Sequence, residues 1–125
     1  MNLGDTFRDE GDNPHLRMVI AGPTPNGLAA IANFSSWFDG CDDACVVHQG
    51  DHPYLAHDSF VVYQKARLLP VSDIQRLLDT GYCTPHRHLS NELLKRIRDG
   101  AILSDFTEEG IRALILDERA RGSDL

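Results

Sequence analysis

HLRMVIAGPTPNGLAAIANF, residues 15 to 34, is the stretch whose reading decides the fold. His15 to Ala21 reads as a strand from its Met18-Val19-Ile20 run. Gly22-Pro23-Thr24-Pro25-Asn26-Gly27 reads as a turn, because proline fixes φ and Asn-Gly tolerates the positive φ of hairpin turns. Leu28 to Phe34 then returns as a second strand, although alanine is a weak strand former. The two strands make a β-hairpin onto which the rest of the chain must pack.

Working outward, a short strand is expected over Asp5 to Arg8, followed by a charged, Gly-containing loop. Downstream, Ser35 to Asp43 reads as a polar loop carrying Trp37 and Phe38, and Ala44 to His48 as a third strong strand. Gly50-Asp51-His52-Pro53 is a turn, since Pro53 cannot donate a ladder hydrogen bond. Ser59 to Tyr63 and Ala66 to Leu69 continue as extended chain, broken by a bulge at Gln64-Lys65. Residues 4–69 therefore hold about five short strands.

The pattern changes at Pro70. Ser72-Asp73-Ile74-Gln75 fits a capping box and predicts a helix over Asp73 to Asp79 that ends near Gly81. A second helix is expected behind Ser90, with Leu93, Leu94 and Ile97 on one face and Gly100 as its stop. A third follows Thr107, with Ile111, Leu114 and Ile115 at helical spacing. Cys83 to His88 reads as a loop, and residues 121–125 as a frayed tail. Strands first and helices afterwards argue an α+β class, with a small curled sheet or barrel and the helices on one side. One domain over residues 1–125 is expected, β-rich to residue 70 and helical over 71–120.

The net charge is −7, which disfavours non-specific nucleic-acid binding without excluding a local basic groove. No apolar run reaches the roughly 20 residues of a membrane span, and MNLGDTFRDEGDN is not a secretory signal. The expectation is a cytoplasmic protein. Cys41, Cys45 and Cys83 are then reduced thiols, with Cys45 a small core residue inside ACVV.

Titratable groups are densest between Gly50 and Leu69. His52 and His57 could divide general base and general acid work, as metal-independent phosphodiester cleavage requires. Asp51 or Asp58 could orient an imidazole, and Lys65 or Arg17 could stabilise a developing phosphate charge. The plainer alternative is that GDHP is only a turn, with His52 bonded to a backbone carbonyl. His15 and Arg17, two apart on one strand face, either look into the same groove or face solvent. Ser35 and Ser36 could bond a phosphate or simply form a turn, and Ser59, Tyr63 and Lys65 would line the groove. Lys95, Arg96 and Arg98 read as a solvated helix face. Cys41, Cys45, His48, His52 and His57 are soft ligands within 17 residues, but their spacing matches no closed zinc site. No metal and no cofactor are expected. P-loop, dinucleotide-binding, zincin and α/β-hydrolase motifs are missing from the sequence.

Taken together, Gly4-Asp5, HLRMVIAGP, LAAIANFSSW, the strand bearing Cys45 and GDHPYLAHDSFVVYQKARLL resemble small bacterial PemK/MazF-like proteins. The likeness spans roughly residues 3 to 115 and is closest to a branch with a G-D-H-P-[FY]-[IL]-x-H-x-S-[YF]-V-x-Y core. That resemblance implies an SH3-like β-barrel with C-terminal helices, often a homodimer. It also implies a toxin-type endoribonuclease, acting on single-stranded RNA without metal and silenced by an antitoxin protein. The family pairs an Arg with a Ser or Thr. Here His15 stands at the Arg position, Arg17 lies two residues later, and Ser35 or Ser36 matches the hydroxyl. The leading expectation is an RNase with His15, Arg17, His52 and His57 as catalytic residues. Ser35, Ser36, Asp51, Ser59, Tyr63 and Lys65 would bind substrate. A non-catalytic SH3-like binding module is the alternative, and a zinc-dependent hydrolase a third.

Overall fold

The computed structural model describes residues 1–11 and 14–125. The charged loop expected after the first strand falls in part on Asp12 and Asn13, outside the described residues. β1 (Thr6–Asp9), β2 (Leu16–Ala21) and β3 (Leu28–Ser36) form an antiparallel meander, with Phe7 opposite Arg17 and Met18 opposite Ala32. The expected hairpin is there. Its turn requires glycine at the start: Gly22 has φ +83°, and a Cβ would meet the Leu28 carbonyl oxygen at 2.6 Å. The turn is closed by the Leu28 amide donating to Thr24 Oγ1 at 3.0 Å.

β3 is long enough to serve two partners on its second side. Its first half pairs with β6 (Arg67–Pro70), Leu28 lying opposite Pro70, and its last three residues pair with β5 (Ser59–Val61). A two-residue β4 (Val46–Val47) flanks β5, and β7 (Cys83–His86) flanks β1. The strand order is β4-β5-β3-β2-β1-β7, with β6 also on β3. The outer strands of that path do not pair with each other, so the sheet curls without closing into a barrel. Residues 83–86, expected as loop, form an edge strand. Pro85 can sit there because an edge position needs no amide donor on its solvent side.

Between β5 and β6 the expected bulge is instead a 3-10 turn over Tyr63–Lys65. α1 (Val71–Asp79) begins behind Pro70 with no side-chain cap, so Ser72 lies inside its first turn and the capping box does not form. α2 (Asn91–Leu103) is capped as expected, the Leu93 amide donating to Ser90 Oγ at 3.1 Å. It runs through Gly100 rather than stopping there. α3 (Glu109–Ala120) follows, and the tail beyond it is held rather than frayed. Arg119 donates twice to the Leu125 carbonyl oxygen, at 3.1 and 2.6 Å, and Leu125 packs against the core.

The sheet is covered on both faces, not on one. Leu16, Met18 and Ile20 join Ala30, Ala32 and Phe34 beneath α2 and α3, which contribute Leu94, Ile97, Ile111 and Ile115. Phe7, Val19, Ala29 and Ile31 face the other way, against Ile74 of α1. The cause is written in β2 and β3, whose near-continuous apolar runs suit two buried faces, as in sheets sandwiched by helices. No helix among the described residues is long and apolar enough to cross a membrane.

Candidate functional site

The α1 side of the sheet is only partly roofed. Ala29 and Ile31 lie under α1, whereas Asn33 and Ser35, at the same alternate positions of β3, continue past its cover. Two adjoining clefts open there. The first, about 350 Å³, is lined by Asn33, Phe38, Asp42, Phe60, Gln64, Lys65 and Phe106. The second, about 430 Å³, is lined by Ser36, Tyr54, His57 and Ser59. His15 and Ser35 belong to both, so together the clefts form one continuous groove.

The groove gathers His15, Ser35, Ser36, His57, Ser59 and Lys65 of the residues singled out by sequence. His57 Nε2 and Ser36 Oγ are hydrogen-bonded at 2.7 Å. Ser59 supports that pair from behind, its hydroxyl donating to the His57 carbonyl oxygen at 3.1 Å. Lys65 stands at the end of the 3-10 turn with no ion pair among the described residues. These groups come from the β3–β5 ladder, which pairs Ser36 with Ser59, from the segment before β2, and from the turn after β5.

Three expected site residues, His52, Asp51 and Arg17, are drawn elsewhere, and Tyr63 borders the first cleft with its side chain turned into the core. His52 is 3% exposed, and both its ring nitrogens are engaged. Nδ1 accepts from the Tyr54 amide at 3.1 Å, which makes Nε2 the donor to the Arg87 carbonyl oxygen at 2.7 Å. His52 therefore ties the GDHP turn to the segment after β7, and the three histidines do not converge. Asp51 accepts from the His48 amide at 2.9 Å and pairs with Arg96 of α2 at 3.4 Å. The His48 amide first, and Arg96 after it, hold the Asp51 carboxyl below the usual range. Tyr63 is fully buried, and its hydroxyl donates to the Ile97 carbonyl oxygen at 2.6 Å. Burial pushes that phenol far up, so it is a core hydrogen-bond donor and not an acid. Arg17 shares its face with His15 but turns to Asp9, in a bidentate pair with Nε–O distances of 3.0 and 2.9 Å. It lines a separate groove with Leu77 and Tyr82.

Among the described residues no three His, Cys, Asp or Glu side chains gather as a metal site would require. Cys45 is buried, and its thiol is pushed up by that burial, which leaves it a packing residue.

Sequence reading missed Asn33, Phe38, Asp42, Phe60, Gln64 and Phe106 as groove residues. Phe38 carried a signal, an aromatic residue in an otherwise polar loop. Phe106 carried none, since only the packing of the α2–α3 connection brings it beside a loop 68 residues earlier (106 − 38). Compared with known family models, curated proteins and solved structures, the chain matches none of them.

Proposed function

We propose that the chain is a metal-independent endoribonuclease of the PemK/MazF kind, acting on single-stranded RNA through His15 and His57. The observation that carries this reading is that both imidazoles, two serine hydroxyls and Lys65 line one groove. Cleavage of RNA without metal needs little more. The 2′-hydroxyl attacks phosphorus, the P–O5′ bond breaks, and a 2′,3′-cyclic phosphate and a 5′-hydroxyl result. One imidazole takes the 2′-hydroxyl proton and the other, as imidazolium, gives a proton to the departing oxygen. Ser35 and Lys65 face the charge that develops on the phosphate. Ser36 holds the His57 ring at 2.7 Å.

Of the layout that the resemblance implies, an antiparallel sheet with helices in the C-terminal part supports the reading, whereas the sheet stays open where a barrel is implied. A homodimer, an antitoxin partner and a cytoplasmic location belong to the same proposal. A second reading, a non-catalytic binding module, is favoured by Phe38 and Phe106, both more than half exposed at the groove.

Incubating the purified protein with single-stranded RNA in the presence of a chelator tests the proposal. Cleavage with a bell-shaped pH profile is expected, and His15→Ala or His57→Ala should each slow it about a hundredfold or more. Growth arrest on expression, relieved by the same substitutions, should accompany it. Equal cleavage by all three proteins, or none by any, overturns the catalytic reading and leaves the binding module.

A further inference from the structure

We infer that the first cleft is a base-binding subsite that selects guanine beside the scissile phosphate, an inference that rests on the RNA-cleaving reading above. The cleft has an aromatic floor. Phe38 and Phe60 meet edge to face, with centroids 5.6 Å apart and rings inclined by 81°, and Phe106 lines the same space. Phe60 is buried, and the exposed rings of Phe38 and Phe106 are of the kind that stack unpaired bases, each worth enough to change affinity about tenfold. At about 350 Å³ the cleft lies within the range of small-ligand sites.

Asn33 and Asp42 bring fixed acceptors to the cleft, beside the donors of Gln64 and Lys65. Asn33 is 6% exposed and its Nδ2 donates to the Phe34 carbonyl oxygen at 3.1 Å, which leaves Oδ1 without a partner among the described residues. Asp42 is immobilised by two donors, the Ala44 amide at 3.1 Å on Oδ1 and the Ser104 hydroxyl at 2.6 Å on Oδ2. Each carboxylate oxygen keeps a further acceptor site. A cleft furnished with a carboxylate and an amide oxygen asks for a base edge rich in donors. Guanine supplies N1–H and the N2 amino group side by side, the pair that a carboxylate accepts best. Guanine O6, beside N1–H, meets a donor from Gln64 or Lys65, whereas the single N–H of uracil leaves one of the paired acceptor sites unmet.

Charge orients the nucleotide in the same sense. Asp43 and Asp105 line a neighbouring groove with Asp42, so that wall repels phosphate. His15 and Ser35 line both clefts, where the first meets the second, and Lys65 lines the first. A nucleotide enters base first, with its phosphate left at the junction between His15 and His57.

The test uses 2′-O-methyl trinucleotides, which bind without being cleaved. UGU, the same trimer with inosine at its centre, and UUU are titrated into the whole protein by calorimetry. UGU should bind about tenfold more tightly than UUU, and inosine, lacking only the N2 amino group, should lose most of that preference. Phe38→Ala, at an exposed position, should weaken UGU about tenfold through lost stacking, and Asp42→Asn should erase the preference for UGU over UUU. Equal binding of the three trimers, or a guanine preference that survives Asp42→Asn, overturns the subsite. Parallel assays with cleavable RNA separate the two readings. Cleavage without base preference rejects the subsite and keeps the nuclease. Guanine-selective binding without cleavage keeps the subsite and rejects the nuclease.

Discussion

Asp51 and His57 stand six residues apart and are used in opposite ways. His57 is exposed, and among the described residues its ring is held by Ser36 alone, free to meet a ligand. Asp51 is committed to the His48 amide and to Arg96, and so fastens the turn before β5 to α2. Its folded carboxyl lies below the ordinary value, chiefly because the amide bond favours the charged form. The linkage follows from that sign. A depressed acid contributes stability fully above its unfolded value, near pH 4, and loses it as pH falls through the folded value. Asp51→Asn should therefore lower Tm at pH 7, and the gap from the parent should shrink towards pH 3. Thermal unfolding followed by circular dichroism at the two pH values measures this; a constant gap would show that the carboxyl is not linked to folding. At this scale the sequence was misleading, since the same densely charged stretch supplies both the groove and its scaffolding.

At the scale of elements, α2 shows how packing overrules local signals. Gly100 reads as a helix stop, yet the helix continues to Leu103. A Cβ at Gly100 would overlap the Tyr63 hydroxyl and lie 2.9 Å from Cys45 Cβ and 3.0 Å from the Ala44 carbonyl oxygen. The glycine is there so that the 44–45 segment and Tyr63 can approach the helix. Two effects oppose each other in Gly100→Ala. Helix propensity favours alanine by about 1 kcal/mol. Overpacking costs about 1–3 kcal/mol, and displacing the buried Tyr63 hydroxyl from Ile97 adds about 1–3 more. The substitution should destabilise by about 3 kcal/mol in chemical denaturation. Gly110 in α3 is the control: its nearest contact would be Leu68 at 3.7 Å, so alanine there should be neutral or stabilising by up to about 1 kcal/mol.

On the scale of the whole molecule, the helices and the sheet are joined through Arg98. Sequence reading grouped it with Lys95 and Arg96 as solvated, but it is fully buried. It donates to the Ile20 carbonyl oxygen at 2.7 Å and to Glu118 at 3.0 Å, and Glu118 in turn accepts from the Gly22 amide at 3.1 Å. One side chain thus links α2, α3 and the β2–β3 turn. Arg98→Ala should cost about 2–3 kcal/mol, at the low side for breaking a buried pair because Glu118 keeps some solvent. Equilibrium denaturation would show it, and an unchanged midpoint would mean the link contributes nothing. A hint was present, since Arg98 follows Leu94 by four residues and so falls on the apolar stripe of α2. By itself the sequence determined the α+β class, the β2–β3 hairpin and the Ser90 cap. Those depend on short-range periodicity, turn chemistry and capping, which neighbouring residues encode. The tertiary structure alone decided that helices cover both faces, that β7 joins the edge of an open sheet, and which histidines share a groove. Each of these depends on pairs brought together from distant parts of the chain, such as His52 with Arg87 or Phe38 with Phe106, and no local pattern records that meeting.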